Sequence, residues 1–102
     1  MNAIKHWALC LHTLDNVATL LDDVQSCDIV YIKDLKGEMI QKIEVFSPIP
    51  QGHKIALKEI LYPEVIIKYG EIIGSSTREI HIGEWIHVHN LESQRGRGDL
   101  GG

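Results

Sequence analysis

The sequence predicts one small, mainly β domain: a compact barrel or clip of short strands with one short helix near the N-terminus. Three observations carry that expectation. Short apolar runs recur along 102 residues, 44% of them apolar, and this length supports one core rather than two. Turn signals at Pro63, Gly70, Gly74 and Gly83 part the runs of the second half. A single early segment, Val17 to Val24, takes helical spacing instead.

Trp7 to Thr13 alternates as a first strand. Val17, Leu20, Leu21 and Val24 then fall at i, i+3, i+4 and i+7, which reads as a helix with Asp15 as its N-cap. Asp22 and Asp23 lie in its last turn, where the helix dipole disfavours negative charge, so the helix is expected to be short. Ile29 to Lys33 and Met39 to Phe46 read as a hairpin joined by the polar turn Asp34 to Glu38. Pro48 and Pro50 lack amide donors and mark Ser47 to Gly52 as a loop. Lys54 to Ile60, Val65 to Tyr69, Arg78 to Ile82 and Trp85 to Leu91 complete the expected strands. Residues 1–91 are therefore read as the folded domain and 92–102, with glycines and two arginines, as a flexible tail.

Ten Lys and Arg against fourteen Asp and Glu leave a formal net charge of −4. No basic field of the kind that neutralises a row of phosphates exists, so nucleic acid is not an expected partner. No run approaches the roughly eighteen apolar residues that cross a bilayer, and Met1 to Lys5 lacks the layout of a secretory leader. The expected location is the cytoplasm, with no membrane partner. Cys10 and Cys27 belong to no CxxC pair and are expected to be free thiols in a reducing compartment.

Chemistry-bearing residues concentrate in Trp85-Ile86-His87-Val88-His89-Asn90. On a strand, positions i and i+2 share a face, so His87 and His89 are expected to point the same way. Such a pair can converge on a divalent ion with His12 or His53 as a third ligand; the plainer reading is two hydrogen-bonding histidines while Ile86 and Val88 fill the core. Gly52-His53-Lys54 opens a strand where glycine permits positive φ and Lys54 offers a donor suited to a carboxylate. The plainer reading there is a turn glycine with two solvated neighbours. Lys68 repeats the cation at a strand end. Asp15 and Asn16 can bind a ligand, although an N-cap already accounts for the aspartate. No nucleophile with an evident base, no phosphate-cradling loop and no zinc-finger spacing occurs.

Four blocks carry a family resemblance when read together. They are Asp15-Asn16-Val17-Ala18-Thr19, Ile49-Pro50-Gln51-Gly52-His53-Lys54-Ile55-Ala56-Leu57, Ile67-Lys68-Tyr69-Gly70 with Ile73-Gly74, and Gly83-Glu84-Trp85-Ile86-His87-Val88-His89-Asn90-Leu91. Their order and spacing resemble the small SAF-type domain of the altronate and galactarate dehydratase family, over about His12 to Leu100 and including the Arg95-Gly96-Arg97-Gly98-Asp99 tail. The resemblance implies a β-clip fold and a hydro-lyase that removes water from aldaric or aldonic acids with help from a divalent metal, iron or manganese. It implies a larger dehydratase subunit or domain as partner and a sugar acid as substrate, so the isolated chain is expected to be inactive. Self-association into a homo-oligomer stays open.

In that setting His87, His89 and His53 are expected as catalytic residues that relay protons, since the ordinary imidazole pKa of about 6.5 lies near working pH. Lys54, Lys68, His12 and Asn16 are expected to bind substrate, and the metal ligands stay unassigned. Trp85 stands where relatives often carry histidine, which removes a third alternating imidazole from this strand. The resemblance also covers the small subunit of sulfolactate sulfo-lyases, which eliminate sulfite. A non-catalytic sugar-acid-binding or docking module is the remaining alternative.

Overall fold

The computed structural model describes residues 5–93. Within them run nine strands: β1 (His6–Leu9), β2 (Val17–Leu20), β3 (Ile29–Lys33), β4 (Met39–Glu44), β5 (Lys54–Ala56), β6 (Val65–Lys68), β7 (Glu71–Ser76), β8 (Trp85–Ile86) and β9 (Leu91–Ser93). Among the described residues no helix is long and apolar enough to cross a membrane. The mainly β expectation holds.

Six strands form one sheet in the order β4-β3-β1-β2-β5-β8, and β6-β7-β9 form a second. β1 and β3 pair in parallel, and the other ladders are antiparallel. Alternate residues of the large sheet point inward: Ala8, Ala18 and Leu20, Val30 and Ile32, Ile43, and Ile55 build the first core. The sheet curls around them until its two outer edges touch. Phe46 N, just past β4, donates to Gly83 O, just before β8, at 3.2 Å. Glycine is needed there, because a Cβ on Gly83 would lie 2.4 Å from Glu44 O. The small sheet covers the back of the large one: Val17, Ala56 and Ile86 turn outward and meet Ile66 of β6, with Ile60 and Ile80, in a second core.

That second core explains why the expected helix is a strand. β2 is buried on both faces, Ala18 and Leu20 facing the first core and Val17 the second. A strand covered on both faces loses its alternation and reads as a continuous apolar run, which helical spacing fits by accident. Leu21, the third apolar position of the supposed helical face, is 38% exposed. Asp15 caps nothing; its carboxylate accepts hydrogen bonds from His12 N at 3.2 Å and Gly70 N at 2.8 Å.

Three further expectations shift. The strand read over Trp85 to Leu91 breaks at residues 87–90, which form a turn. Arg78 to Ile82 supplies only an isolated bridge, Ile60 to Ile80. Gly74, read as a turn, lies inside β7, where the β9 backbone passes so close that a Cβ would fall 2.2 Å from Glu92 O. The Asp34 to Glu38 turn is as expected, with Asp34 Oδ1 accepting from Lys36 N and Glu38 N at 2.9 Å each. Both thiols are free, Cys10 buried and Cys27 exposed. Glu92 and Ser93, assigned to the tail, belong to β9, and residues 94–102 lie outside the described residues.

Candidate functional site

β8 is only two residues long, and its register sorts the site. Trp85 pairs with Ile55, while Ile86 pairs with Lys54. Trp85 therefore leans on the first core and Ile86 enters the second. The ladder ends there because Asn90, fully buried, takes over the backbone groups: its Oδ1 accepts from His87 N at 3.0 Å and its Nδ2 donates to Trp85 O at 2.9 Å. His87 O in turn accepts from the backbone N of Asn90 and of Leu91.

This turn folds two imidazoles onto the indole. The His87 ring stacks on Trp85 at 5.5 Å between centroids and 13° between planes, and His89 meets Trp85 edge-on at 5.7 Å. His53, at the end of the proline loop, packs 5.4 Å from Trp85 and 4.9 Å from His87. Trp85 Nε1 donates to His53 Nδ1 at 3.3 Å, which leaves the proton of neutral His53 on Nε2. His87 and His89 do not share a strand face as expected. They gather around Trp85 through the turn instead, and their ring nitrogens have no hydrogen-bond partner among the described residues.

The described residues do not by themselves make a site for a divalent ion. Among the described residues no three His, Cys, Asp or Glu side chains stand together as a ligand set. In the imidazole cluster the His53 Nδ1 lone pair is taken by the Trp85 N–H, and the indole has a donor and no lone pair to give. His12 is elsewhere, against the β6–β7 turn.

Lys54 and Lys68 form a separate group. Lys54 pairs across the ladder with Thr19 and shares its face. Tyr69 Oη donates to Thr19 Oγ1 at 3.0 Å, and Lys68 Nζ lies 5.0 Å from the centre of the Tyr69 ring. Burial, and after it the charge of Lys68, holds the Lys54 ammonium below its usual pKa. His12 and Asn16 are held by structural contacts. His12 is exposed, its Nδ1 accepts from Leu14 N at 3.1 Å, and its ring packs where a Cβ on Gly70 would come within 2.8 Å. Asn16 is buried, with Oδ1 accepting from Ile67 N at 2.8 Å and Nδ2 donating to Val65 O at 2.9 Å, so its amide serves as a strand partner for β6. The seven expected site residues thus divide among an imidazole cluster, a lysine pair and two structural positions. Sequence reasoning passed over Asn90, Thr19 and Tyr69. Only the tyrosine carried a signal, a bulky residue before a turn glycine.

Residues 6–94 match the altronate/galactarate dehydratase SAF domain model. The chain belongs to this SAF domain family. The SAF domain is 41% identical over 87 residues to altronate dehydratase of Bacillus subtilis (strain 168), covering 81% of the chain and 16% of that protein. It is 38% identical over 78 residues to galactarate dehydratase (L-threo-forming) of Escherichia coli (strain K12), 74% of the chain and 13% of that protein. Over 54 residues it is 41% identical to (2R)-sulfolactate sulfo-lyase subunit alpha of Chromohalobacter salexigens, 53% of the chain and 57% of that subunit. The chain therefore spans about a sixth of the dehydratases it matches and somewhat over half of the sulfo-lyase subunit.

Proposed function

We propose that this SAF domain is the small domain or subunit of a sugar-acid hydro-lyase, and that its imidazole cluster works in a site completed by a larger catalytic part. The observation that carries this reading is the gathering of His53, His87 and His89 around Trp85, with the ring nitrogens of His87 and His89 unengaged among the described residues, in a chain whose relatives are named as dehydratases. Dehydration of a hydroxy acid takes a proton from the carbon beside the carboxylate and gives one to the departing hydroxyl. Imidazoles suit both transfers at neutral pH. His87 accepts the carbon-bound proton and, as the imidazolium, returns one to the departing hydroxyl, while the neutral His53 beside it, whose Nδ1 is engaged by the indole, holds the leaving oxygen through an Nε2–H hydrogen bond and keeps its proton. An enediolate formed on the way needs cationic or metal stabilisation; the described residues offer no ligand set, so an iron or manganese ion would take its ligands from the larger part.

A second reading is supported by the sulfo-lyase alpha subunits, at 41% and 40% identity in two organisms. There the same groups serve a reaction in which sulfite leaves instead of hydroxide. Combining the chain with its larger partner and supplying altronate, galactarate and sulfolactate separates the two. The hydro-lyase reading expects loss of water from a sugar acid and no turnover by the SAF domain alone. Sulfite release from sulfolactate with both sugar acids inert would transfer the assignment to the second reading.

A further inference from the structure

The turn between β6 and β7 is built against its residue preferences. Lys68 pairs with Glu71, so Tyr69 and Gly70 form a two-residue hairpin loop, with φ of 55° and 80°. Positive φ at both positions is the signature of a type I′ turn, whose first place ordinarily goes to Asn, Asp or Gly. A bulky aromatic there is a backbone outlier, and such outliers point to a constraint imposed by something other than the turn. The constraint here is visible: the ring lies beside the Lys68 ammonium and the hydroxyl reaches across to Thr19.

The charged and protic groups this arrangement leaves over are donors. Thr19 Oγ1 accepts from Tyr69, so its own proton points onward, with no acceptor among the described residues. Lys54, half-buried on the same face, and Lys68 have no carboxylate ion pair among the described residues; even Glu71, opposite Lys68 in the hairpin, makes none. Two neighbouring ammonium groups and a hydroxyl proton without an acceptor are complementary to an oxyanion.

We propose that Lys54, Lys68 and the Thr19 hydroxyl form a binding site for the carboxylate of a small organic acid, on the sheet face opposite Trp85. Tyr69 is its positioning residue. The site itself rests on this geometry alone; naming the acid as a sugar acid rests on the hydro-lyase reading above. Binding relieves the repulsion between the two lysines, so the Lys54 pKa rises when the site fills.

The test is a titration of the full chain followed by amide and lysine-ammonium NMR at constant ionic strength, with galactarate, acetate and inorganic phosphate as probes. Saturable shifts at Thr19, Lys54, Lys68 and Tyr69 are expected, with galactarate half-saturating at no more than one-fifth of the acetate or phosphate concentration. Lys54→Met keeps the aliphatic stem and should weaken the response at least fivefold. Tyr69→Asn, which suits a type I′ turn better, should weaken it while leaving the fold intact. Amides unmoved by all three probes, or shifts that survive Lys54→Met, would overturn the site. Equal or tighter binding of phosphate would overturn the sugar-acid assignment, and neither result bears on proton transfer by the imidazole cluster.

Discussion

Asn16 and Asn90 show what single side chains do in so small a fold: both amides are used as pieces of backbone. Asn16 pairs with Val65 and Ile67 as a strand would, and Asn90 closes the turn that carries His87. Asn16→Ala leaves two backbone groups of β6 unpaired and should cost about 2–4 kcal/mol, read as a lower urea midpoint with an unchanged slope. In the sequence Asn16 looked like a ligand beside a helix cap, because an amide that mimics backbone has no periodic signature. His81 and Glu59 form an exposed pair, Nδ1 to Oε1 at 2.8 Å. The hydrogen bond to Glu59 raises the His81 pKa, and the Ile82 backbone N–H, then His81, lowers that of Glu59. The imidazolium's contribution is complete below about 6.5 and fades as pH rises past its raised value; the carboxylate's is complete above about 4.3 and fades as pH falls past its lowered one. Glu59→Gln should therefore bring the His81 titration, followed by its ring proton NMR signals, down toward the ordinary imidazole range.

At the scale of elements, the strands that the sequence shows well are those with one wet face. β3 and β4 alternate and are joined by an aspartate-initiated turn, and both were readable with their connection. β2 was not, since two cores claim its two faces and erase the alternation. β7 was hidden by Gly74, whose missing side chain makes room for β9 rather than a bend. β8 was overextended for the opposite reason: His87 to Asn90 alternates like a strand, yet the Asn90 amide captures the groups a ladder needs. Closure of the large sheet depends on Gly83, at φ 88° against Glu44 O. Because the obstructing atom is backbone and cannot move aside alone, Gly83→Ala should cost at least about 1–3 kcal/mol in urea unfolding, the range expected for the left-handed conformation by itself. A stability equal to that of the parent would show that the two edges of the sheet need not meet.

For the whole molecule, the sheet acts as a partition. One face collects imidazoles around Trp85; the other collects ammonium and hydroxyl donors around Tyr69. The family, the mainly β class and most chemistry-bearing residues could be read from local blocks of sequence. Their division could not, because it depends on which residue of β8 faces which residue of β5, a register that no local pattern records. His53 and Lys54 are neighbours in sequence, yet they contribute to different groups.

The most direct measurement is the rate of sugar-acid dehydration by the assembled enzyme carrying His87→Ala, alongside the urea midpoint of the variant chain. His87 is half-buried and makes no side-chain hydrogen bond among the described residues, and its loss removes only the ring packing on Trp85 and His53, so the midpoint should fall by no more than about 0.5–1.5 kcal/mol of stability. The turnover number should fall by about a hundredfold or more, the usual scale for losing a proton-transfer group. Turnover equal to that of the parent assembly would contradict the account and leave this domain a docking piece without a part in the chemistry.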